Sequence, residues 1–288
     1  MIFRSKDFAR HPIRTKLRFG LCTLGIILFA GALRADVIVD AGTTAGQFGT
    51  LDLTSGAFTA INSSEPTLAG MATLDNNIEY GGDYESTPSN LYSIDPATGD
   101  LTTIGSSSVE YYDFGGTLSG LYAFDAAPYL SEFTLYSVDS TTGAATPVGL
   151  TGVLSTGESA LSSDSNTLYL ANNDTLYTVN TSTGAATSVG TLTNDAQFDA
   201  LIVEDGVLYG YDGVNDTIDT INTSTGAVTL GPALTGLGPD VSIYGMASVP
   251  PISSVPEPRG EVLLLALAGT LSLWHFRRKS AKRPDSAT

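Results

Sequence analysis

From Asp36 to Pro258 the sequence contains no lysine, arginine, histidine, cysteine or tryptophan. All 13 Lys and Arg fall at positions 4–34 or 259–283, with His11 and Cys22 in the first group and Trp274 and His275 in the second. Each absence removes a class of chemistry. Without Cys the stretch has no disulfide, no thiol nucleophile and no thiolate zinc site, and without His it has no Ser-His-Asp triad and no imidazole metal ligand. Without a cation it cannot neutralise phosphates, so nucleic acid is excluded as a partner. Of the 30 acidic residues in a chain of net charge −17, all but Asp7, Glu261 and Asp285 lie in this stretch. Such a surface keeps copies apart in solution unless divalent cations bridge them.

Only carboxylate chemistry survives this inventory. Two Asp or Glu residues suffice for a glycoside hydrolase, but such sites also need groups that orient the sugar, and cations and Trp are missing. The sequence therefore reads as non-catalytic, with a carboxylate-based glycoside hydrolase as the enzymatic alternative. A glycan-binding lectin is the other alternative, because all 13 Tyr lie between 80 and 244 and their rings stack on sugars. Tyr92, Tyr136, Tyr177 and Tyr209 read as recurring in phase, which points first to packing between repeated units.

What the stretch does hold is a repeat. LYTVNTSTGAATSVG (176–190) places a polar NTSTG between two β-branched or aromatic runs, the pattern of a hairpin turn. Asn180 is suited to accept a backbone N–H two residues on, and Gly184 to take the left-handed conformation that closes the turn. Near-copies occur at LDLTSGAFTAI (51–61), LYSIDPATGDLTTIG (91–105), LYSVDSTTGAATPVG (135–149) and IDTINTSTGAVTLG (218–231). Their glycines, Gly56, Gly99, Gly143, Gly184 and Gly226, are spaced by 43, 44, 41 and 42 residues. Two further strand-like runs separate successive turns, as in DALIV (199–203) and GVLYGYD (206–212), so each unit supplies about four short strands, the content of a propeller blade.

The array from 36 to 249 holds five such periods. SIYGMASV (242–249) matches LAGMATL (68–74), an inner-strand run, with nothing after it to complete a blade. DVIVDAG (36–42) and the turn at Gly56 lack an inner strand. Joining the halves gives an all-β, five-bladed β-propeller closed by its N- and C-terminal strands, which leaves no open edge in the ring. An open β-solenoid of the same period would leave both halves incomplete.

The flanks read as targeting segments. Arg4, Lys6, Arg10, Arg14, Lys16 and Arg18 precede an apolar run from Phe19 to Leu33, and Ala30, Ala32 and Ala35 offer small-residue cleavage positions, so 1–35 is predicted as a signal peptide that carries Cys22 away. A proline-bearing linker (250–259) is followed by an apolar run from Val262 to Phe276 and a basic tail within 260–288. That run suits a short membrane helix with snorkelling Arg277 and Arg278. The basic cluster places that end in the cytoplasm.

Pro256, Glu257 and Pro258, the helix at 262–276, and Arg277, Arg278 and Lys279 together resemble the PEP-CTERM sorting signal of exported bacterial proteins. The resemblance implies an exosortase-like processing enzyme as partner, membrane attachment through the C-terminal helix before processing, and delivery to the cell surface or extracellular matrix. Extracellular polysaccharide or surface proteins are then the expected partners of the propeller.

Four carboxylates stand near one offset from the turn glycines: Asp113 and Asp240 at 14 residues, Glu158 and Asp199 at 15. With no cation to pair them, they read as candidates for a Ca²⁺ site at one mouth of the central channel. Solvation of loop ends is the plainer alternative.

Overall fold

The computed structural model describes residues 36–63, 66–84, 88–117, 120–125, 129–156, 159–164 and 166–250. The expected signal peptide, sorting motif and membrane helix lie outside them. Among the described residues no helix is long and apolar enough to cross a membrane.

The chain enters the first blade with β1 (Ile38–Thr43), β2 (Phe48–Asp52) and β3 (Ala57–Asn62). The second blade is β4 (Leu68–Thr73), β5 (Glu79–Asp83), β6 (Ser89–Ile94) and β7 (Leu101–Ser107), and the third is β8 (Tyr111–Thr117), β9 (Gly120–Asp125), β10 (Glu132–Val138) and β11 (Ala145–Leu154). The fourth is β12 (Ser159–Asp164), β13 (Thr167–Asn172), β14 (Thr175–Val179) and β15 (Ala186–Thr191), and the fifth is β16 (Phe198–Glu204), β17 (Val207–Asp212), β18 (Thr217–Ile221) and the short β19 (Val228–Thr229). The last strand, β20 (Ile243–Ser248), returns to the first blade, whose order is β20-β1-β2-β3.

These strands form five four-stranded antiparallel sheets, a five-bladed propeller. The first strand of each sheet packs beside its counterpart in the next, and the circuit β20, β4, β8, β12, β16 closes on itself. SIYGMASV is thus the missing inner strand: β20 runs antiparallel to β1, with Ala247 opposite Asp40 and Gly245 opposite Gly42.

The recurring turns close the outer hairpin of every blade, and their chemistry is the same five times over. Asp52, Asp95, Asp139, Asn180 and Asn222 each accept, through Oδ1, the backbone N–H two residues on. Gly56, Gly99, Gly143, Gly184 and Gly226 each donate their N–H back to the carbonyl of that Asx residue, at φ between +70° and +80°. Only glycine adopts that conformation without strain.

Apolar side chains pack between blades, one cluster to each of the five seams. One repeat position supplies much of this. In the second strands, Tyr80, Tyr122, Tyr169 and Tyr209 face forward into the next blade and join the clusters that contain Leu121, Leu168, Leu208 and Val39, respectively. Tyr209 therefore belongs with Tyr169 on a second strand and not in phase with Tyr92, Tyr136 and Tyr177, which stand on third strands. In the fifth blade the third-strand position is Asp219.

Candidate functional site

A β-bulge opens four of the five inner strands. Register with the neighbouring strand skips a residue at Ala69, Tyr112, Asp199 and Tyr244. β12 instead pairs continuously from Ser159 onward. A bulge leaves the extra residue outside the ladder and re-aims its side chain. Ala69, Tyr112, Ser159, Asp199 and Tyr244, with Tyr84, accordingly surround one opening of the channel. Tyr84 meets Tyr112 and Tyr244 edge to face, with ring centroids 6.4 Å and 5.4 Å apart. These rings close the mouth down to a space of about 10 Å³, room for a single water-sized molecule. At the opposite end of the inner strands, Thr73, Gly116, Ser162, Val203 and Ser248 help line a small polar cavity of about 40 Å³.

The four carboxylates singled out from the turn spacing are not brought to one point. Asp199 stands at the mouth as a bulge residue, whereas Asp113 follows the bulge at Tyr112 and lies one register position deeper. The stretch from turn glycine to bulge varies, 13 residues from Gly99 to Tyr112 and 15 from Gly184 to Asp199, so one offset marks different places in different blades. Asp113 is buried among the inner strands. Its Oδ1 accepts the N–H of Phe114 at 2.7 Å and its Oδ2 that of Leu161 on β12 at 2.6 Å. On its other side Gly70 of β4 lies so close that a Cβ would collide with the carboxylate. Burial pushes the Asp113 carboxyl well above the usual range, and the two N–H groups oppose that rise. Asp240 is exposed, with φ of 61°, in the turn ahead of β20. Glu158, like Pro256, Glu257, Pro258, Arg277, Arg278 and Lys279, lies outside the described residues. Among the described residues no three His, Cys, Asp or Glu side chains assemble a metal site.

The side-chain acceptors that do recur in phase are others, three carboxylates and an amide. Asp83, Asp125, Asn172 and Asp212 end the second strands, opposite the first residue of each inner strand. Asp83 accepts the Asn90 side-chain amide at 2.8 Å, Asp125 the Thr134 N–H at 2.8 Å, and Asp212 the Val214 N–H at 2.9 Å. Asn172 accepts the Ser159 hydroxyl at 2.7 Å. Their sequence signal is Y-x-x-D/N, in YGGD (80–83), YAFD (122–125), YLAN (169–172) and YGYD (209–212). Asp83 and Asp125 thereby hold the third strand, Asp212 the loop after the second strand and Asn172 the inner strand, a structural task.

Two further buried carboxyl groups, Asp40 on β1 and Glu79 on β5, meet between the first and second blades. Glu79 is 0% and Asp40 1% exposed. Burial, with Asp40 facing it, pushes the Glu79 carboxyl up to about 9. The Asp40 carboxyl is raised as well, its burial partly offset by the hydrogen bond from Glu79.

No protein-family model and no curated protein matches this sequence. Among solved structures, a chain of a nidogen/laminin complex is similar over 73% of this chain and 97% of its own, at 13% identity and a TM-score of 0.47. TolB from Acinetobacter baumannii is similar over 70% of this chain and 55% of its own, at 14% identity and a TM-score of 0.45.

Proposed function

We propose that the chain is an exported, non-catalytic cell-surface or extracellular-matrix protein whose propeller serves adhesion or scaffolding and whose C-terminal segment is a PEP-CTERM-like sorting signal. The observation that carries the non-catalytic part is what the wholly and partly buried carboxylates of the ring do. Asp83, Asp113, Asp125 and Asp212 hold backbone or amide N–H groups, and Asp40 and Glu79 face each other inside a seam. A glycosidase instead needs two carboxyl groups flanking an open sugar site, about 5–9.5 Å apart. The sorting part rests on the sequence pattern around Pro256, Glu257 and Pro258. Replacing all three with Ala is expected to leave an unprocessed, membrane-retained protein; release of a product of unaltered mass would overturn the sorting assignment.

The three tyrosines at the mouth favour a second reading, a glycan-binding lectin. Tyr84, Tyr112 and Tyr244 offer ring faces and edges, with the Asp199 carboxylate and Ser159 hydroxyl beside them. On a glycan array the wild-type chain would then bind, and Tyr112→Ala with Tyr244→Ala would not. A blank array with hydrolysis of no polysaccharide leaves scaffolding as the role.

A further inference from the structure

Four of the five seams hold the same two positions in one apolar cluster: a second-strand Tyr and an aliphatic side chain of the next second strand. The pairs are Tyr80 with Leu121, Tyr122 with Leu168, Tyr169 with Leu208, and Tyr209 with Val39. Register identifies the fifth. Asp40 faces Ala247 on its inner strand as Tyr80 faces Ala72, and Glu79 faces Thr73 as Val39 faces Ser248. At the seam between the first and second blades the Tyr position is therefore Asp40 and the aliphatic position is Glu79. Both members of the pair are changed together, and only there.

Among the described residues the surroundings supply no counter-charge. No Lys, Arg or His occurs from 36 to 258. Both Glu79 oxygens and Oδ2 of Asp40 are buried and, among the described residues, receive no hydrogen bond from an N–H or hydroxyl donor. On the strands packed around the pair, Asp52 of β2 is engaged with Thr54 and Ser55 of its own turn. Asp83, farther along β5, accepts from Asn90, and the Tyr92 hydroxyl of β6 points to Asp83. Tyr80 faces the third blade, Tyr244 of β20 stands at the mouth, and β4 carries no titratable residue. Two bare carboxylates side by side in this site would repel without compensation.

We infer that Asp40 and Glu79 share one proton, and that this proton is a pH-sensitive fastener between the closing blade and its neighbour, so that the ring is held shut in acid and neutral media and loosened in alkali. Glu79 binds its proton more tightly in the folded ring than in the unfolded chain. The stability it contributes is thus complete below the ordinary Glu value of 4.5 and is lost as pH rises toward about 9.

The test is the thermal midpoint of the full chain from about pH 7 to about pH 9.5, where wild type is expected to fall by at least about 5 °C. Glu79→Gln keeps a donor toward Asp40 but has no proton to lose, and its midpoint should stay level across that window. The double variant Asp40→Asn with Glu79→Gln should stay level too, and decides the matter if the single variant does not fold. Parallel decline of wild type and a folded variant overturns the inference. So does recovery of the wild-type midpoint at about pH 9.5 by millimolar Ca²⁺ with none in the double variant, since a cation would then be the occupant of the pair.

Discussion

Gly149 on β11 lies directly against the backbone carbonyl of Thr183 in the turn of the next blade, with no space between them for a Cβ. Gly105 stands in the same relation to Thr142, and Gly190 to Thr225. The repeat's second glycine, the one ending the TIG, PVG and SVG runs, is therefore what lets the outer turn of one blade dock on the outer strand of the blade before it. Gly149→Ala must push that turn away, at a cost of about 1–3 kcal/mol and a midpoint lower by roughly 5 °C. Gly152 is the control: its φ is +75° but nothing lies within 4 Å of a Cβ there, so Gly152→Ala carries only conformational strain, about 1 kcal/mol. A larger loss for Gly152→Ala than for Gly149→Ala would show that the docking contact is not what the glycine provides.

The ring is closed by hydrogen bonds between β20 and β1, and β20 also packs beside both β4 and β16. Deleting 242–249 strips the inner strand from the first blade and exposes the edge of β1. The expected result is a chain that no longer migrates as a folded monomer in gel filtration and melts well below wild type. Monomeric protein with an unchanged midpoint would mean that closure does not depend on this strand.

Asp113 joins its own strand to the neighbouring inner strand β12, while Asp240 sits in solvent. Asp113→Ala orphans the N–H groups of Phe114 and Leu161 in a buried place, for an expected loss of about 3 kcal/mol. Asp240→Ala should stay within about 0.5 kcal/mol of wild type. Chemical denaturation of the two variants side by side checks the contrast, and equal effects would remove Asp113 from its place as a tie between inner strands.

The blade count and the closure were readable because turn chemistry is local: an Asx residue, two small polar residues and a left-handed Gly look the same wherever they occur. The match of SIYGMASV to LAGMATL then completed the first blade. Side-chain direction at the channel was not readable by counting from those glycines. The loops that lead into the inner strands differ in length, 13 residues from Gly99 to the bulge at Tyr112 and 15 from Gly184 to the bulge at Asp199, so Asp113 and Asp199 look equivalent in sequence and part in the structure. Tyr209 reads in the phase of the third-strand tyrosines because second and third strands both carry Leu-Tyr. The Y-x-x-D/N signal is present at Asp83, Asp125 and Asp212, but its meaning lies in the neighbouring strand or loop that the strand end meets only in the fold. Asp40 and Glu79 are 39 positions apart and acquire their relationship only when two blades face each other.

The Asp40–Glu79 seam also permits a constructive test. The other four seams show which pair the fold uses when it needs only packing, so Asp40→Tyr with Glu79→Leu would give the fifth seam the chemistry of the rest. Exchange of a buried polar pair for well-packed apolar groups is commonly neutral or stabilising, by about 1–4 kcal/mol. Removing one member is costly: Glu79→Leu alone leaves the Asp40 carboxyl buried against an aliphatic wall, an expected loss of about 3 kcal/mol at neutral pH. The double variant should therefore melt above Glu79→Leu at every pH and above wild type at about pH 9.5, where the shared proton is leaving. Thermal midpoints of the three proteins at neutral and alkaline pH close the comparison. A double variant no more stable than Glu79→Leu would mean that Tyr and Leu do not fit this seam as they fit the others.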